Sequence, residues 1–176
     1  VQVAIAEQAR VSLDLAASPT LESTRGREIV LIFAPDYVVG LYLPGLMAFR
    51  DGEYPVSWRP MSIAPYDHVL RRPEERTLEL EVGEGGTMLR SVFGMLYRSS
   101  RSSLQTGDVL DRGLMRVEIL ATERSGPNRV AFRFDRPLTD PSLCFLVWED
   151  GELKEAVLPD VGREILIERT PGPVGF

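Results

Sequence analysis

The chain has 176 residues, 44% of them hydrophobic and 26% charged, with a net charge of −6. That length supports one substantial core and that composition excludes a disordered or fibrous chain. The negative balance speaks against a general nucleic-acid binder, whose counterion release needs a cationic surface. One cysteine, Cys144, excludes an internal disulfide and a cysteine-built zinc site, and one histidine, His68, excludes a multi-histidine metal centre.

Taken in order, residues 3–15 carry the first helical signal, with Ile5, Ala9 and Ser12 on one face and Val11 and Leu15 beside it. Ser18 and Pro19 end it, and residues 18–27 read as a polar loop. Residues 28–33 (EIVLIF) then form a continuous aliphatic run, the signature of a strand buried on both faces in a parallel pairing. Ala34, Pro35 and Asp36 follow, with Asp36 placed to cap a helix over the uncharged segment 37–49, which Pro44 should kink or split into two short pieces. Asp51 and Gly52 stop that helix, and residues 56–63 (VSWRPMSI) read as a second strand. Strand, helix and strand in this span make a βαβ crossover with the uncharged helix sealed inside.

The remainder alternates with a period of two, as half-buried antiparallel strands do. Leu78, Leu80 and Val82 oppose Glu79 and Glu81; Met115, Val117 and Ile119 oppose Arg116 and Glu118; Val130, Phe132 and Phe134 oppose Arg133 and Asp135. Leu89, Val92, Phe93 and Leu96 interrupt this pattern with helical spacing over residues 87–97, followed by the polar loop holding Arg98 and Arg101. Asp150 and Gly151 between two apolar runs signal a hairpin of 143–149 with 153–158, and 165–167 make a closing strand. The expected fold class is α+β, mostly β: an N-terminal βαβ crossover joined to an antiparallel sheet forming a partial barrel or sandwich. A single globular domain is expected over 1–170, with 171–176 a flexible tail.

Few residues invite chemistry. Asp36 lies where a parallel strand hands over to a helix, the place where ligands of open α/β sheets gather, with Tyr37 beside it. Asp36 could serve there as a general base or a cation ligand, or simply as the helix cap. His68 follows Asp67, yet neighbours in an extended segment point to opposite faces, and no Gly-x-Ser-x-Gly elbow supplies a nucleophile. Trp58 and Trp148 are candidates for a stacking platform or for packing. Cys144, within the apolar run 143–148, reads as a small buried hydrophobe. The basic residues are 19 arginines and Lys154, a bias read as compositional rather than as anion recognition. No cofactor motif and no calcium-loop pattern is present, so no cofactor is expected.

Three segments, 29–45 (IVLIFAPDYVVGLYLPG), 107–120 (GDVLDRGLMRVEIL) and 130–148 (VAFRFDRPLTDPSLCFLVW), resemble the soluble C-terminal extramembrane portion of uncharacterised bacterial multi-pass membrane proteins. The resemblance implies tethering to a membrane-embedded module of the same polypeptide, and no activity. The chain itself lacks the run of about 18 apolar residues that a membrane span needs. It opens at Val1 without a leader pattern, so a piece or mature form of a longer product is expected. The leading expectation is a non-catalytic interaction or regulatory module, membrane-tethered or exported. The alternatives are a small-substrate hydrolase using Asp36 and a carbohydrate- or peptide-binding β module using Trp58 or Trp148.

Overall fold

A computed structural model describes residues 24–51, 55–83, 85–88, 104–123 and 126–173. The helices expected over 3–15 and 87–97, and the loop of Arg98 and Arg101, lie outside the described residues. The fold is α+β and mostly β, and its strands form two sheets. The chain groups into two compact units, one drawn from Val1–Ile63, Pro141–Val157 and Thr170–Phe176, the other from Ala64–Asp140 and Leu158–Arg169.

The first unit contains a four-stranded mixed sheet in the order β2-β1-β8-β9. Its centre is β1 (Glu28–Phe33), flanked in parallel by β2 (Ser57–Pro60) and by β8 (Leu143–Glu149). Being central and parallel on both sides explains why β1 is aliphatic without interruption: Ile29 to Ala34 are all at most 1% exposed. Pro60, which has no amide to donate, sits on the edge strand, where a missing ladder bond is tolerated. β9 (Glu152–Glu155) returns antiparallel to β8 through Asp150 and Gly151, whose φ angles of 53° and 82° are the paired left-handed values of a tight two-residue hairpin turn. The hairpin expected of 143–149 with 153–158 thus belongs to the crossover sheet and not to the antiparallel one. Arg27 fixes the entry of β8: its guanidinium donates to the carbonyls of Pro141 (3.1 Å) and Leu143 (2.6 Å) and pairs with Glu155 at 3.0 Å.

Between β1 and β2 the chain makes a π-helical turn, Val38–Tyr42, and then α1 (Leu43–Asp51). These are the two short pieces that Pro44 foreshadowed. The expectation of a sealed helix is corrected: Val39, Gly40, Leu43 and Met47 are buried, whereas Leu41, Tyr42 and Phe49 face solvent. A helix laid on one sheet buries only a stripe, and this sequence continues its apolar character around the far side.

The second unit contains a six-stranded antiparallel sheet in the order β10-β3-β4-β7-β6-β5. Its strands are β3 (His68–Glu74), β4 (Thr77–Val82), β5 (Val109–Asp111), β6 (Met115–Glu123), β7 (Gly126–Phe134) and β10 (Arg163–Ile167). One register row, Ile165–Leu70–Leu80–Val130–Ile119, crosses five strands and is buried from Leu70 onward. The opposite face is charged. Glu79 and Glu81 have arginine partners there: Arg129 donates to Glu79 at 2.6 Å, and Arg71 pairs with both Glu81 and, at 2.6 Å, Glu164.

Candidate functional site

The C-terminal end of β1 is the expected site location. Asp36 is only 5% exposed. Its Oδ1 accepts the amides of Val38 (2.9 Å) and Val39 (3.1 Å), and its carbonyl accepts the Gly40 amide at 3.0 Å. This is helix-cap geometry: the side chain satisfies two first-turn donors that have no partner within the helix. Its other oxygen lies under the C-terminal segment. A Cβ on Gly172 would overlap Asp36 Oδ2 and approach Pro35 Cβ to 3.1 Å, so this close crossing requires glycine. The neighbouring Pro171 is latched by Trp148, whose Nε1 donates to the Pro171 carbonyl at 3.0 Å. The start of the segment expected as a loose tail therefore lies over Asp36.

Tyr37 is half-buried, its ring edge-on to Tyr42 with centroids 5.9 Å apart and planes at 83°. One turn further, three residues solve a single hydrogen-bonding problem. Gly40 lies in the π turn, where the Leu43 amide reaches back five residues to the Val38 carbonyl, and the next residue, Pro44, has no amide hydrogen to give to the carbonyls of this turn. Trp58 of β2 supplies the donor instead, its Nε1 reaching the Gly40 oxygen at 3.1 Å. Gly40 itself must be small, since a Cβ there would meet Ile63 Cδ1 at 2.8 Å and Ala34 Cβ at 3.2 Å. The widened π turn and the glycine let the helix settle onto the strand ends, and the indole seals the gap left by the proline.

His68 belongs to the other sheet. It is fully buried in β3, in register with Val82 on β4 and Ile167 on β10. Burial, which disfavours the imidazolium, lowers its pKa from 6.5 to about 4 against weaker opposing effects of the Tyr66 backbone and Asp67. Its neighbour Asp67 is exposed and accepts the Arg169 amide at 2.7 Å. The two adjacent side chains thus differ in surroundings, one buried in the sheet and the other exposed and bonded to the Arg169 amide. The structure accordingly brings Asp36 and Tyr37 side by side and places His68 in a different sheet.

The remaining candidates are also spent on the fold. Trp148 is 3% exposed, which removes it as a stacking platform, and Trp58 is half-buried with its N–H engaged. Cys144 is fully buried, and desolvation pushes its thiol up to about 11, so it is an un-ionised thiol at neutral pH. Among the described residues, no group of three or more His, Cys, Asp or Glu side chains is arranged to hold a metal ion, and no helix is long and apolar enough to cross a membrane.

Sequence reasoning missed the exposed stripe. Leu41, Tyr42 and Phe49 are 46%, 48% and 85% exposed on the crossover helix. The signal was present in the sequence: 37–49 has apolar residues on every side, more than one buried face can use. Comparison with protein-family models, with curated proteins and with solved structures finds no match.

Proposed function

We propose that the chain is a non-catalytic interaction module that presents the outer face of its crossover helix to a protein partner. The carrying observation is the uncharged stripe of Leu41, Tyr42 and Phe49, with Phe49 85% exposed while the same helix buries Val39, Leu43 and Met47. Large aromatic and aliphatic side chains held in water on a rigid element are the raw material of interface anchors. The commitment of Asp36, Trp58, Trp148 and Cys144 to capping, latching and packing supports the same reading. The sequence likeness to extramembrane ends of multi-pass proteins supports attachment of the module to a membrane-embedded portion of the same polypeptide.

A photo-crosslinking residue at position 49, in the native cell, tests this. Val157, equally exposed at 86% and not part of the helix, is the control position. A discrete protein adduct is expected from position 49 and not from 157, and it is lost when Leu41→Ser is added. Equal labelling from both positions, or none from either, refutes the reading.

A further inference from the structure

A second surface, independent of the helix stripe, lies at the edge of the six-stranded sheet. β10 is an edge strand, and among the described residues no strand pairs with its outer side. It is the most exposed strand of that sheet, with Ile165 38% and Leu166 60% exposed. These two point to opposite faces, Ile165 in register with buried Leu70 and Leu166 with Val69. Neither face is closed at this edge, and a strand added here extends both. Exposed apolar edges are usually blocked by lysine, proline or a bulge. β10 has none of these; its charged residues are Arg163 and Glu164 at its start, and Glu168 and Arg169 follow its last residue.

The order of those charges selects the occupant. Residues 163–169 read Arg-Glu-Ile-Leu-Ile-Glu-Arg, the same in both directions. A second copy pairing antiparallel about a two-fold axis at Leu166 would set Glu164 against Glu168 and Arg163 against Arg169. Like charges directly opposite are unfavourable. Moving the axis to Ile165 sets Glu164 against Leu166, Arg163 against Ile167 and Glu168 against Gly162, so none of these charges meets an opposite one. Self-pairing is thus repelled in one register and gains nothing from these charges in the next, whereas a complementary strand would pair all four of them.

We propose that the outer edge of β10 receives an extended segment of a different protein, whose side chains opposite residues 163–169 read acidic, basic, three apolar, basic, acidic. Backbone pairing supplies the attachment and the alternating side chains supply the choice of partner. Because residues 163–169 read the same in both directions, the matching segment is palindromic too.

The probe is the capped peptide Asp-Lys-Val-Val-Val-Lys-Asp, titrated into the full chain at low ionic strength, where exposed charge pairs are least screened. The control is its charge-inverted counterpart, Lys-Asp-Val-Val-Val-Asp-Lys. We expect one peptide per chain and slowed amide exchange at 163–167. The inverted peptide should bind about tenfold more weakly, from several cross-strand pairs acting together. Glu168→Lys, beyond the β3 ladder and so harmless to folding, should weaken the first peptide and strengthen the second, whereas Phe49→Ser should change neither. Equal binding of the two peptides, binding of neither, or a dimer that Leu166→Lys dissociates overturns the proposal.

Discussion

The buried imidazole of His68 makes stability depend on pH in a way that can be worked out in advance. In the folded chain the group binds a proton only near pH 4; in the unfolded chain it does so near its ordinary 6.5. Between those values the unfolded state holds the extra proton, so acid favours unfolding. The stabilisation is fully present above pH 6.5, declines as pH falls below it, and is exhausted near pH 4. The whole displacement corresponds to about 3 kcal/mol, and by pH 5 about 2 kcal/mol is already lost. That is a large share of the ~5–15 kcal/mol of a typical domain. The cause is local, because protonation would place a charge between β4 and β10 at a position with no solvent exposure. Urea unfolding followed from pH 8 to pH 4.5, for the native chain and for His68→Gln, isolates the effect, since carboxylate titrations shared by both cancel in the difference. The native chain should begin the more stable, and its advantage should shrink by about 2 kcal/mol by pH 5. An NMR titration of the imidazole should show no midpoint near 6.5. An advantage that stays constant across this range, or an imidazole that titrates normally, refutes the reasoning.

Four further outcomes are expected. Asp36→Ala removes the acceptor of the Val38 and Val39 amides and should cost about 1 kcal/mol in chemical denaturation. Trp58→Phe keeps an aromatic ring but removes the indole donor to the Gly40 carbonyl, and a loss of about 1–2 kcal/mol is expected in chemical denaturation. Cys144 should resist a thiol reagent in the native chain at pH 8 and react fully in denaturant, following its burial and raised pKa. Arg71→Met should destabilise by less than about 1 kcal/mol, with the difference from the native chain fading in high salt, because its partners Glu81 and Glu164 are 36% and 60% exposed.

Much of the fold was readable wherever a segment's pattern reports its own surroundings. The unbroken EIVLIF run announced a strand covered on both faces, and the alternations at 77–82, 115–119 and 130–134 announced strands with one wet face. The Asp150–Gly151 pair announced its hairpin. β3 escaped because only His68 and Leu70 of its first residues turn inward, and a histidine followed later by two arginines and a proline does not look like a core strand. The partner of β8 escaped for a different reason: a strand's residues show how much of it is buried but not which strand lies beside it. At the candidate site the capping role of Asp36 followed from its position before a helix. The covering Gly172 and the indole serving Gly40 did not, because each depends on an approach between residues far apart in the chain.

The pairing of β1 with β8 ties together residues more than a hundred positions apart, Glu28 opposite Leu143 among them. At ribosomal speeds of ~5–20 residues per second, β1 must wait on the order of ten seconds after its own synthesis before its second neighbour emerges. Through that interval the greasiest strand of the molecule has one ladder unfilled. Nascent chains ending before residue 141 will therefore be clients for chaperones, and the parallel closure, with its long loop to bring together, will set the pace of maturation.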